Sequence, residues 1–340
     1  MFRTRVHATS TARFPGNRLH RLRRAAAGLV AAVANGLTAS CSSTADGDSV
    51  ASPKGGKPAT PTAGTPDRPV KTPAKPQRVI GLSYASTWMR DAGVSMVGAT
   101  DIDEGALSAE HRAAVKKTTI VGEGNELNSE KIAPLTPDLI VISAPGHTAF
   151  NIGTLKPVAP VLPFPIENPD ELLPTSLRVI DARGKAAEGA EFKETYRGGL
   201  TRIRSTYAQQ LAKTDWAIVN SGEAGKFSVY TEKSWLGVVT QDAGARFDPL
   251  PGAPKGEFSY DLSFEEIGKP KDADVILVDG DVPGGAPVAE TKWPTARRNW
   301  TTPKANQNRQ VHPVAGFFVS RYHEGGGIPD RFEQTPKPLP

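Results

Sequence analysis

The sequence predicts an α/β protein of two lobes separated by a long helical connector. Three observations carry this reading. Short, unbroken apolar runs alternate with helical patterns, as expected of a parallel sheet covered on both faces. From Asn168 that rhythm gives way to a long helical stretch, and after Lys213 it resumes. One phrase is also written twice. "NSEKIAPLTPDLIVIS" (Asn128 to Ser143) and "LSFEEIGKPKDADVILVD" (Leu262 to Asp279) each read as a short acidic helix, a Pro-containing turn, an Asp and a bare apolar strand.

Two segments precede the lobes. Residues 1–40 hold seven Arg and no acid, so without them the net charge falls from +5 to −2. The basic balance therefore belongs to a targeting segment and gives no reason to expect a nucleic-acid partner. That segment has a basic stretch ending in "RLRR", an apolar "AAAGLVAAVA" too short to span a bilayer, and then "LTASC". The last piece resembles a bacterial lipobox, with Thr38 where an apolar residue is usual. It makes Cys41, the only cysteine, the expected lipidation site. Arg23-Arg24 leaves twin-arginine export open beside the general secretory route. Residues 41–76 are rich in Ser, Thr, Gly, Pro and Lys and are expected to form a disordered, semi-stiff tether.

The N-lobe is expected over 77–167. Its strands read as Arg78 to Leu82, Ser95 to Thr100, Thr118 to Gly122, Asp138 to Ser143 and Pro160 to Phe164. Helices are expected over Ala85 to Ala92, Ser108 to Lys117, and a short piece opened by Ser129. A connecting helix covers 168–184, with Asn168 as cap, Pro169 in the first turn and Gly184 as stop; Pro174 should kink it or delay its start. The C-lobe, 185–340, opens on a longer helix, Ala186 to Ala212, with Phe192, Tyr196, Leu200, Ile203 and Tyr207 at helical spacing. Strands follow at Asp215 to Asn220, Phe227 to Thr231, Asp274 to Asp279 and Gln310 to Val314, with a helix in "SWLGVVTQDAG" stopped by Gly244. Both lobes read as Rossmann-like.

Over about Pro76 to Pro313 the chain resembles the substrate-binding lipoproteins of ABC importers for ferric siderophores, haem and cobalamin. Four stretches carry the resemblance: "PQRVIGLS…AGVSMVGAT", "VGEGNELNSEKIAPLTPDLIVIS", "TLKPVAPVLPF" and "LSFEEIGKPKDADVILVD". The closing "GGGIPDRFEQTPKPLP" departs from the pattern, lacking the usual last helix. The resemblance implies a long backbone helix between the lobes, a ligand cleft, and a monomer anchored outside the cytoplasmic membrane. It implies no enzyme activity and no resident cofactor. It also implies a Glu on each lobe's rim that docks on Arg clusters of the two permease subunits. Glu130 and Glu265 match those positions, with Glu266 one residue away as competitor.

A ligand between α/β lobes meets loops after the strands. Those loops bring Tyr84, Trp88 and Arg90, then His147, then Tyr230, Trp235 and Arg246, and finally Phe318, Arg321 and Tyr322. Aromatic walls with guanidinium groups suit a ferric siderophore, whose iron is already coordinated and needs no protein ligand. Each residue also suits a bland role: the tyrosines as core residues, the arginines as surface ion pairs. The resemblance keeps haem open through His147 with Tyr230, and cobalamin as a further ligand. An exported, lipid-anchored hydrolase is the reading from another class, without a Gly-x-Ser-x-Gly elbow in the sequence to support it.

Overall fold

The structure is a computed structural model. It describes residues 62–327, excluding 66–67, 101–112, 114, 124–125, 146–150, 221–225, 249–253, 267, 281–299, 301–302, 315 and 323, and for 62–65, 68 and 69 only the backbone. The signal segment, Cys41, His147 and most of the helix expected over Ser108 to Lys117 lie outside the described residues.

The first described element is a departure from expectation. Within the stretch read as a tether, strands β1 (Thr62–Thr65) and β2 (Arg68–Lys71) pair antiparallel, and β1 lies against β8 (Val161–Pro163). Its composition excludes only a core of the segment's own. A hairpin resting on a folded lobe needs only ladder hydrogen bonds.

The N-lobe sheet has the order β6-β5-β4-β3-β7-β8. Here β3 is Val79–Ser83, β4 Gly98–Thr100, β5 Thr119–Glu123, β6 Glu126–Leu127 and β7 Leu139–Ser143. All pairings are parallel except that of β5 with β6. The bare apolar runs are buried on both sides: Ile80, Leu82, Ile140 and Ile142 share one cluster with Val121 and Ile132. On the other side helix α1 (Tyr84–Asp91) lies so close that a Cβ on Gly81 would stand 2.8 Å from Ser86 Cα. The piece opened by Ser129 is helix α2 (Ser129–Ile132), and α3 (Ile152–Leu155) precedes β8.

The connector resolves the difficulty posed by Pro174. A 3-10 turn takes Pro169–Glu171, and α4 (Leu172–Asp181) starts there, leaving Pro174 in the first turn, where its missing N–H costs nothing. Gly184, at φ 71, ends the segment. Helix α5 (Ala186–Thr206) then runs through Gly198-Gly199, and the expected single helix is divided at Tyr207 before α6 (Ala208–Lys213).

The C-lobe sheet has the order β12-β10-β9-β13-β14, with β11 sharing an edge of β9. Its strands are β9 Asp215–Asn220, β10 Lys226–Tyr230, β11 Arg246–Phe247, β12 Ser259–Ser263, β13 Val275–Asp279 and β14 Val311–Val314. Strand β10 is antiparallel to both neighbours, so this lobe is mixed where the N-lobe is almost purely parallel. Alternation is strict. Trp216, Ile218, Val275 and Leu277 face a cluster with Tyr196, Leu200 and Phe317, while Ala217, Val219, Ile276 and Val278 face Phe227, Phe264 and Trp300. Helix α7 (Trp235–Asp242) is capped by Ser234, whose Oγ accepts the Gly237 N–H at 3.1 Å, and Gly244 at φ 93 ends it as expected. A short helix, α8 (Lys304–Gln307), leads into β14, and residues 322 and 324–327 beyond it are again helical.

Candidate ligand-binding site

At the end of β3 the chain makes a sharp strand-to-helix turn. Ser83 takes φ 54 and ψ −136, a conformation that non-glycine residues rarely hold. It is held by its N–H donating to Thr100 Oγ1 at 2.8 Å, and by Ser86 Oγ donating to its carbonyl at 2.8 Å. The turn places Tyr84 at the head of α1, with its ring stacked on Trp88 one helical turn later, 5.7 Å between centroids. Trp88 is fully buried, and its indole N–H crosses to the C-lobe to donate to the Ser320 carbonyl at 2.8 Å.

The C-lobe answers with aromatic side chains of its own. Trp235, opening α7, meets Phe258 and Phe318 edge-on at 5.4 and 5.2 Å and Tyr230 at 6.4 Å, and its indole N–H bonds to the Tyr84 hydroxyl. Phe317 joins Tyr230 to Phe318 at 5.2 and 5.1 Å. One aromatic cluster thus spans both lobes, each edge contact adding about 0.5–1.5 kcal/mol beyond its area burial. Phe318 is 37% exposed and Tyr84, Tyr230 and Phe258 are half-buried, so the cluster keeps an accessible face. Burial pushes the Tyr84 hydroxyl pKa up, and the nearby Glu324 carboxylate adds to this against the Trp235 bond. Burial, with help from the Asp261 carboxylate, pushes Tyr230 up to about 12. Both hydroxyls are therefore protonated and able to donate at neutral pH.

The arginines behave differently from expectation. Arg321 is only 12% exposed; it reaches Asp91 of the N-lobe at 3.3 Å and Glu324 at 2.7 Å. Arg90 and Tyr322 are buried, the latter with its ring edge-on to Tyr196 at 5.3 Å. Arg246 is exposed but paired with Asp215 at the start of β9, and the length of α7, about 12 Å, separates it from Trp235. The structure thus brings together Tyr84, Trp88, Tyr230, Trp235 and Phe318, places Arg321 beside them in an ion pair, and does not bring Arg246 there. Sequence reading missed Phe258, whose signal was the alternation of "EFSYDLS" that marks β12. It also missed Asp91, Ser320 and Glu324, which carry no local signature.

Glu130 and Glu265 occupy corresponding places, each in a short helical turn before the strand next to its lobe's central strand. Glu130 is exposed in α2, and Glu265 is exposed in the 3-10 turn Phe264–Glu266. Glu266 is instead tied to its neighbours, accepting the Ser263 N–H at 3.1 Å and pairing with Lys269 at 2.6 Å. Among the described residues no group of three or more His, Cys, Asp and Glu side chains is arranged to hold a metal ion, and no helix is long and apolar enough to cross a membrane.

Comparison with known proteins turns this geometry into a family. The periplasmic binding protein family matches residues 81–309. The chain belongs to that family. Its members are substrate-binding proteins that work outside the cytoplasm. A curated relative, the Fe(3+) dicitrate-binding periplasmic protein FecB of Escherichia coli, is 26% identical over 196 residues, a match spanning 56% of this chain and 63% of that protein. The siderophore periplasmic binding protein from the fuscachelin gene cluster of Thermobifida fusca superposes with a TM-score of 0.65 at 25% identity, covering 77% of this chain and 97% of that one. Staphylococcus aureus SirA complexed with staphyloferrin B has the same fold, with a TM-score of 0.66 at 22% identity over 81% of this chain and 98% of that one. This family member therefore has the two-lobed α/β architecture of siderophore-binding relatives.

Proposed function

We propose that the protein captures a ferric siderophore in the cleft between its lobes and delivers it to the permease of an ABC importer. The observation that carries this reading is the aromatic cluster shared by Tyr84, Trp235, Tyr230, Phe258 and Phe318, which offers flat apolar walls and protonated hydroxyls to the organic shell of a chelate. The 25% identity to a siderophore-binding protein supports the same choice. Titration of intrinsic fluorescence tests it. Trp88 and Trp235 should be quenched saturably by at least one ferric hydroxamate, catecholate or carboxylate chelate. Quenching by haem alone, with a Soret shift lost in His147→Ala, would replace the siderophore by haem; silence toward all of them and cobalamin would sink the receptor reading.

Delivery rests on Glu130 and Glu265, each able to accept bidentate bonds from a permease Arg. The double change Glu130→Ala with Glu265→Ala should abolish uptake and leave chelate affinity unchanged; weakened affinity would overturn the docking role. The mature chain is held at the outer face of the membrane by lipid on Cys41, which mass measurement of the membrane fraction, against Cys41→Ser, would detect. A second reading, an exported hydrolase, draws on one observation: Ser83 sits at positive φ in a strand-to-helix turn, the geometry of a nucleophile elbow. Ester turnover abolished by Ser83→Ala would favour it.

A further inference from the structure

We propose that Arg321 is a positioning residue: it holds the two lobes at the opening that binds ligand, and does so without touching the ligand itself. The proposal rests on the receptor reading above and concerns how that site is regulated. The guanidinium divides its donors between lobes. Its Nη1 faces both oxygens of Asp91, at 3.3 and 3.4 Å, on α1 of the N-lobe. Its Nε and Nη2 face Glu324 Oε1, at 2.9 and 2.7 Å, on its own segment. The other oxygen of Glu324 accepts the backbone N–H groups of Ser320 and Arg321 at 2.8 and 3.1 Å, fixing the peptide whose Ser320 carbonyl receives the Trp88 indole. One carboxylate thus organises two separate contacts to the N-lobe. The same segment is seated on the connector: Gly325 lies so close to α5 that a Cβ there would stand 2.9 Å from the Tyr196 ring. N-lobe, C-lobe and backbone helix all meet at Ser320, Arg321, Glu324 and Gly325.

A guanidinium enclosed by two carboxylates has no net positive charge left for an anionic chelate. Its leverage on binding is conformational, because apparent affinity scales with the fraction of molecules in the competent opening. That distinguishes a clamp from a contact. Breaking a clamp weakens every chelate by one common factor, whatever its charge; deleting a contact weakens anionic chelates selectively. Asp91→Asn separates the two most sharply, since it breaks the lobe bridge while leaving Arg321 more positive. The experiment measures affinity of wild type, Arg321→Gln and Asp91→Asn for ferrioxamine B, which is cationic, and for ferric dicitrate, which is anionic, with small-angle scattering of each ligand-free protein. The clamp predicts that both variants lose about 5- to 100-fold in affinity, equally for whichever chelates wild type binds, and that both scatter as more open particles. A loss confined to the anionic chelate, or tighter anion binding by Asp91→Asn, would overturn it. If wild type binds neither chelate, the scattering still decides: variants with the same dimensions as wild type would refute the clamp, and more open ones would uphold it. Should Arg321→Gln fail to fold, Asp91→Asn carries the test alone.

Discussion

In the N-lobe, Asp138 stands one residue before β7 and accepts the backbone N–H groups of Gln77 and Arg78, at 2.7 and 3.0 Å, at the start of β3. In the C-lobe, Asp274 stands one residue before β13 and accepts the N–H of Asp215 at 3.0 Å, at the start of β9. Each also donates its own N–H to the neighbouring strand, to Arg78 at 3.0 Å and to Asp215 at 2.7 Å. The Asp of the repeated phrase is thus a peg that sets the register of two central parallel strands, and both lobes need one. Their surroundings differ. Beside Asp138, Arg78 spends its guanidinium on the Leu135 carbonyl at 2.7 Å. Beside Asp274 lie Lys304 at 2.5 Å and further carboxylates, Asp215, Asp248 and Asp272, with Arg246 held on Asp215. The duplicated phrase encodes a mechanical joint, and each lobe sets the charge around it independently.

The largest test of that comparison asks how tightly each lobe is packed near its cleft end. In the C-lobe a Cβ on Gly237 would fall 2.0 Å from the Thr231 carbonyl oxygen, which is backbone and cannot yield. In the N-lobe a Cβ on Gly81 would meet the flexible ends of Met89 and Met96, at 2.6 and 2.7 Å, and backbone no nearer than the Ser86 Cα, at 2.8 Å. Gly237→Ala should therefore cost about 3 kcal/mol or more and Gly81→Ala about 1–3, read by urea denaturation. The reverse order would show that the N-lobe is the stiffer one. Next come the pegs. Asp138→Ala leaves two backbone donors without their acceptor and should cost about 1–2 kcal/mol. Asp274→Ala loses only one such backbone bond, and its pair with the half-exposed Lys304 adds little, so it should cost less. Equal losses would mean that the Lys304 pair makes up for the missing second backbone bond.

The smallest effect is a pH dependence confined to the C-lobe. Asp248 is raised to about 6, first by burial and then by Asp215, Asp272 and Asp274, and its Oδ2 is buried without a hydrogen-bond partner. A carboxyl whose folded pKa lies above its unfolded value binds more protons folded than unfolded. Its contribution is then fully present below the unfolded pKa and is lost as pH rises through about 6. Asp248→Asn should accordingly stabilise the protein above pH 6 by about 1 kcal/mol or less, since the group is only part-buried and solvent screens its charge, and flatten the stability curve between pH 4 and 6. Asp274 runs the other way. Burial raises its pKa, but the Lys304 bond and the Asp215 N–H outweigh that and leave it lowered, so its contribution is lost as pH falls. Denaturation midpoints of wild type and Asp248→Asn that shift in parallel with pH would remove Asp248 from the account.

The fold was legible because its signals are local. β9 runs from Asp215 to Asn220 as the apolar run required, and α7 is followed by Gly244, the expected stop, at a φ of 93. The short β6 and β11 were missed because two-residue strands carry no period, and the β1–β2 hairpin because composition reports burial and not backbone pairing. Looking after strands named Tyr84, Trp88, Tyr230, Trp235 and Phe318, which the structure brings together, but not Phe258, which stands just before β12. The arginines could not be assigned that way, since a guanidinium's role depends on which carboxylate it meets.

The sequence alone determined the two-lobed α/β architecture, the helical connector and the duplicated phrase, because strand periodicity, caps and turn residues act over a few neighbours. The tertiary structure alone decided that Arg321 bridges the lobes while Arg246 is held away from the aromatic cluster. Its partner Asp91 lies 230 residues back along the chain, and only folding brings two such distant charges within reach of one another.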